Sequence, residues 1–190
     1  MKKYINKAFF LVICLFQVSI IFCQKNYSDA KLLYINSDTI TCKIEINYNF
    51  LNKKYLDDAA YFQGVTIVNE EGNRVEKIPA KYIKQVSFDD IFGIERVYLN
   101  NGVYFKQLLF NGLKIKWFRT MTYELFNGPK FKEYLIDNEG KITNLELFYV
   151  KKRLKAATLS KPELVAEINK ISIWKYGDKD ILNILKKYEE

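Results

Sequence analysis

The sequence predicts a mainly β protein with an α-helical tail (α+β), an antiparallel meander forming a barrel-like or sandwich sheet followed by two to three C-terminal helices. Three observations carry that expectation. Thr39 to Tyr48 alternates strictly, with Ile40, Cys42, Ile44 and Ile46 on one face and Thr41, Lys43, Glu45 and Asn47 on the other, which is the period of a half-buried antiparallel strand. Polar turn signals separate apolar runs roughly every 8–12 residues, as in sandwiches and barrels. After Phe148 the composition shifts to helix formers without glycine, YVKKRLKAATL over residues 149–159.

In chain order, Lys31 to Ile35 reads as a short strand, and Asn36-Ser37-Asp38 as a turn whose side chains bond their own backbone. Residues 49–63 show neither period and read as a loop with room for a helical turn. Val65–Val68 and Arg74–Ile78 flank Glu70-Glu71-Gly72-Asn73 as a hairpin. Pro79 ends the second strand because it has no N–H for the ladder. Tyr82–Phe88 resumes β character, and Arg96–Leu99 and Val103–Phe110 flank Asn100-Asn101-Gly102. Asn111-Gly112 joins that run to Leu113–Phe118, a strong hairpin signal because both residues tolerate positive φ. Leu113, Ile115 and Trp117 are expected on one face and Lys114 and Lys116 on the other. Turns at Asn127-Gly128-Pro129 and Asn138-Glu139-Gly140 bound Met121–Phe126, Lys130–Ile136 and Lys141–Phe148. In the tail, Ser160-Lys161-Pro162-Glu163 has the form of a capping box with an early proline. Leu164, Val165 and Ile168 supply an apolar stripe, and Asp178 is placed to cap a last helix. There Ile181, Ile184, Leu185 and Tyr188 recur at i, i+3, i+4 and i+7.

Residues 1–23 read as a secretory signal peptide. Lys2, Lys3 and Lys7 form a positive start, Ala8–Phe22 an apolar run, and small Cys23 precedes polar Gln24. The run is shorter than the roughly 20 residues of a membrane span, which favours cleavage over an N-terminal membrane anchor, and Phe22, where a lipidated cysteine is normally preceded by a small residue, argues against a lipidated Cys23. The chain is expected in the periplasm or outside the cell, with an antiparallel β domain over residues 24–148 and a helical segment over 149–190 packed on it.

Composition narrows the chemistry. The 14 Tyr, 14 Phe and 2 Trp exclude disorder. The formal charge is +8, and without Lys2, Lys3 and Lys7 it is +5, a balance that suits anionic surfaces and solubility alike. The absence of histidine excludes Ser-His-Asp and Cys-His catalysis and imidazole-ligated zinc. Once Cys14 and Cys23 leave with the leader, Cys42 stands alone, so neither an internal disulfide nor a disulfide-linked partner is expected. Its alternation with isoleucines places it in the core. Neither G-x-x-x-x-G-K-S/T nor G-x-G-x-x-G occurs. No cofactor and no metal site is expected.

Three groups of residues are candidate sites. Lys114, Trp117, Arg119, Tyr123 and Tyr134 are candidates for an aromatic and basic face that binds glycans or partner proteins, against the commoner role of aromatics on alternating strands as core. Lys151, Lys152 and Arg153 form the densest basic cluster, suited to an anionic lipid surface; on a helix they equally form the solvated side opposite Val150 and Leu154. Export argues against nucleic acid. Asp57-Asp58 and Asp89-Asp90 are carboxylate pairs, but sequence neighbours point apart and do not make the facing pair a glycosidase needs.

The order of the pieces resembles a family of secreted Bacteroidota proteins with a β-rich domain and a C-terminal helical segment. Tyr34-Ile35-Asn36-Ser37-Asp38-Thr39-Ile40 is similar to its "Y-I-x-x-x-D-T-I" opening. Phe105 to Trp117 is similar to its "F-x-x-x-L-x-x-G-x-x-x-L-Y" hairpin, and Lys130–Ile136 and Lys161-Pro162-Glu163-Leu164 to its tyrosine-rich strand and helix start. Cys42 and Lys161 depart from its usual Gly and Cys. The resemblance implies a secreted β-rich fold and carries no known activity with it. The expected function is a non-catalytic binding or scaffold module of the cell envelope, with an envelope protein, glycan or anionic lipid surface as partner. The alternatives are a carboxylate-dependent hydrolase of an envelope or dietary polymer and a carrier of a small apolar ligand.

Overall fold

A computed structural model describes residues 27–48, 56–90, 92–124, 128–172 and 177–190. The expected leader and the Asn127 turn position lie outside them, as does most of the first half of the 49–63 loop. Among the described residues, ten strands form one antiparallel sheet: β1 (Tyr27–Tyr34), β2 (Thr39–Glu45), β3 (Gly64–Val68), β4 (Arg74–Pro79), β5 (Ile83–Asp89), β6 (Glu95–Asn100), β7 (Phe105–Asn111), β8 (Ile115–Glu124), β9 (Gly128–Asp137) and β10 (Ile142–Leu145). One helical turn, α1 (Asp58–Tyr61), precedes β3, and the tail forms α2 (Val150–Ala157), α3 (Val165–Lys170) and α4 (Asp178–Glu189). Among these residues no helix is long and apolar enough to cross a membrane.

The strand order is β10-β9-β8-β7-β6-β5-β1-β2-β3-β4. It is open at β10 and β4, yet its first half is rolled. β4 and β5 lie four strand positions apart in the ladder, about 19 Å if the sheet were flat, and only the 3-10 turn Ala80–Tyr82 joins them. Such a turn rises about 2 Å per residue, so β4 must curl round beside β5. Hydrogen bonds seal the seam. Asn100 Nδ2 of β6 donates to the carbonyls of Ala80 and Ile83 at 2.7 and 2.8 Å, and Phe105 N–H of β7 donates to Phe62 O, just before β3, at 3.0 Å. Inside the roll lies a first core that includes Leu32, Ile44, Tyr61, Val65, Val86, Phe88 and Tyr98. Cys42 is half-buried against this core, and burial raises its thiol pKa.

β5 to β10 continue as a strict meander whose inner face carries a second core. Ile115 and Trp117 of β8, Leu135 of β9 and Leu145 of β10 pack there against Val150, Leu154, Leu164, Ile168, Ile181, Ile184 and Leu185 of the tail. Both cores lie on one face. Val86, Tyr98, Gln107, Arg119, Glu133 and Leu145 are successive directly opposed partners across β5 to β10, and opposed residues share a face.

Four expectations are corrected locally. Leu113–Phe118 and Met121–Phe126 belong to one strand through Glu124, because Arg119 and Thr120 continue the ladder opposite Glu133 and Lys132. Leu113 stands outside that strand and is 94% exposed, rather than facing inward with Trp117. The Glu189 carboxylate accepts the N–H groups of Leu113, Lys114 and Ile115 at 2.9–3.1 Å, so these donors serve the tail and not a ladder. The Ser160 capping box does not form: Ser160 Oγ donates to the Tyr188 hydroxyl, and the turn at Pro162 starts without a side-chain cap. Asp178 does not cap α4. Gly177 N–H is accepted by Asp180, which leaves Asp178 to reach Arg119.

Candidate binding face

The inner row turns polar where the two cores meet. Gln107 is 4% exposed, and its Oε1 has no hydrogen-bond partner among the described residues. Arg119 donates through Nε and Nη2 to one Glu133 oxygen at 2.9 and 2.7 Å, and through Nη2 to Asp178 at 2.7 Å. Burial works against the Arg119 charge, but Glu133 and Asp178 outweigh it and hold its pKa above the ordinary value. Burial raises the Glu133 pKa, and Arg119 offsets only part of that rise. The buried Trp117 N–H also favours ionised Glu133, while falling short of a full hydrogen bond. The cleft beside Gln107, walled by Phe62, Tyr98, Phe105 and Phe131, holds about 20 Å³, room for about one water. This seam joins tail to sheet.

The outer face differs. Successive opposed partners there are Ser87, Val97, Leu108, Phe118, Tyr134 and Asn144. Phe118 and Tyr134 stack with ring centroids 5.5 Å apart. Lys106 Nζ sits 4.4 Å above the Phe118 ring. Lys106 opposes Leu99, Lys116 opposes Asn111 and Ile136, and Lys132 opposes Thr120, so three lysines surround the aromatic pair. None has a carboxylate partner among the described residues. Burial, and then the neighbouring Lys116 ammonium, lowers the Lys106 pKa. At the β7–β8 end of this face an open groove of about 440 Å³ is lined by Leu113, Lys116, Phe118, Ile136, Asp137 and Asn138, among others.

The residues singled out from sequence divide between the faces. Tyr134 belongs to the outer face. Trp117, 0% exposed, and Arg119, in the seam, face inward and cannot meet a partner from outside; the tail helices cover that side. Lys114 Nζ donates to the carbonyls of Tyr188 and Glu189 at 3.0 and 2.9 Å, so it caps the α4 C-terminus. Tyr123 lies on β8 opposite Pro129, with its side chain outside the described residues. Lys151 Nζ donates to Asn169 O at 2.8 Å beyond α2, while Lys152 and Arg153 are exposed. Lys106, Lys116 and Lys132 were not singled out. The one available signal was the alternation of Lys114 and Lys116 against Ile115 and Trp117.

The carboxylates hold the fold. Asp90 is buried and accepts Phe92 N–H, Ile94 N–H and the Arg96 guanidinium at 2.8–3.0 Å. Burial opposes its charge, but these donors outweigh burial and keep its pKa below the usual carboxylate value. Asp89 is exposed across the ladder from Glu95, and the Asp58 side chain lies outside the described residues. Among the described residues no group of His, Cys, Asp and Glu could hold a metal ion. Comparison of the chain with protein-family models, curated proteins and solved structures returned no match.

Proposed function

We propose that the chain is a non-catalytic contact module of the cell envelope, exported by its leader, that holds anionic partner material on the outer face of β6 to β10. The observation that carries this reading is the trio Lys106, Lys116 and Lys132, gathered on one sheet face without carboxylate partners. Uncompensated ammonium groups attract anions and steer their approach. The commitment of Asp90, Glu133, Asp178 and Glu189 to structural donors supports contact rather than acid–base chemistry.

Retention on immobilised heparin, used as a generic polyanion, tests the reading. Lys106→Ser, Lys116→Ser and Lys132→Ser together are expected to weaken binding about 100-fold, from about 1 kcal/mol per lysine. Removing the same charge with Lys152→Ser, Arg153→Ser and Lys170→Ser is expected to leave retention close to that of the parent protein. Equal losses from both triples would reduce the outer face to part of the overall positive charge.

A further inference from the structure

We propose that the β7–β8 end of the outer face rests on an anionic lipid surface, with Leu113 entering the headgroup layer. This rests on the reading of the outer face given above and names what the face meets.

A single exposed leucine is ordinary. The loop that carries Leu113 is not. Glu189 accepts the N–H groups of Leu113, Lys114 and Ile115, Lys114 Nζ is tied to two α4 carbonyls, and Asn138 N–H donates to Lys114 O at 3.0 Å. Gly112 permits this closeness, because a Cβ there would collide with the Glu189 carboxylate. The backbone is therefore fixed with the Leu113 side chain held in solvent, so insertion carries little further ordering cost.

Its surroundings match a lipid boundary. Ile142, 61% exposed, opposes half-buried Ile136, which opposes exposed Lys116. Lys106 lies close enough to Lys116 for their charges to interact. Lys141 is exposed on the adjacent turn, where Asp137 is engaged by the N–H groups of Glu139 and Lys141. Exposed Glu139 is the opposing charge on that turn. Acidic polysaccharides offer charge without an apolar layer, and an acidic peptide offers apolar side chains only one at a time. An anionic lipid surface offers both charge and an apolar layer, the two features this end presents.

Cosedimentation with vesicles tests the inference. The protein is expected to bind vesicles of mixed phosphatidylglycerol and phosphatidylcholine, to release them at high salt, and to ignore pure phosphatidylcholine. Leu113→Ser should weaken binding about tenfold and Lys116→Gln about fivefold. Both variants should keep the parent circular dichroism spectrum, since both side chains are exposed. Equal vesicle binding by Leu113→Ser and the parent would overturn the inference. So would heparin retention without vesicle binding, which would leave the outer face as a polyanion site. Failure to bind either would remove both readings.

Discussion

Arg119→Ala is expected to destabilise the fold by about 3–5 kcal/mol, the usual cost of removing one member of a buried ion pair. The Arg119 and Glu133 side chains are 17% and 19% exposed, so little water reaches the pair to replace the guanidinium. Glu133 would face the buried Trp117 and Leu135 region with its charge uncompensated, and α4 would lose the Asp178 contact that fixes its first turn. At about 2–4 °C per kcal/mol for a chain of this size, the melting temperature should fall by roughly 10 °C. The paired change Arg119→Met with Glu133→Leu should recover most of the loss, because it removes both charges and keeps the volume. Chemical denaturation of the single and paired variants measures both values. A loss under about 1 kcal/mol for Arg119→Ala would mean that the seam is wetter than its geometry indicates.

Trp117→Ala is expected to cost a similar amount, about 3–5 kcal/mol, for a different reason. Trp117 is fully buried, and it is the largest side chain in the core shared by β8, β9, β10 and the tail helices. Its removal leaves a cavity beneath α2 to α4 and does not touch the first core, which lies within the rolled half of the sheet. Amide exchange in α2 and α4 should therefore accelerate more than exchange in β1, β2 and β5. Uniform acceleration would show that the two cores unfold as one unit.

The strands and hairpins were legible because they rest on local chemistry. The Asn36-Ser37-Asp38 turn forms with Ser37 at φ 73° and Asn36 Nδ2 donating to Asp38, and Gly72, Gly102 and Gly140 each take positive φ at expected turns. The Asn111-Gly112 turn was found for the wrong reason. Gly112 is not among the positive-φ glycines; it is required by space, since a Cβ would stand 2.7 Å from the Ile115 carbonyl oxygen and would also displace the Glu189 carboxylate. No local pattern reports a contact made 75 residues away in sequence. The β1–β5 pairing was hidden for the same reason: it is non-local, joining Ala30 to Phe88 and Leu33 to Gln85 past the intervening β2, β3 and β4.

The candidate face was half legible. Alternation along β8 separates Ile115, Trp117 and Arg119 from Lys116, Phe118 and Thr120, and pairing carries each set to its own face. It does not say which set the tail will cover. That choice depends on the apolar faces of α2 and α4, and it buries Trp117 and Arg119, leaving Lys116, Tyr134 and Lys132 outside. Grouping Trp117 and Arg119 with Tyr134 therefore mixed two faces.

Lysine footprinting tests most directly which surface the molecule uses. The folded protein is acetylated with and without saturating heparin, and modification is read at each lysine by mass spectrometry. Protection of Lys116 and Lys132, with Lys152 and Lys170 labelled at unchanged rates, is the predicted result. Protection concentrated on Lys152 and Lys170, with Lys116 and Lys132 still reactive, would contradict the account and move the contact surface to the helical tail.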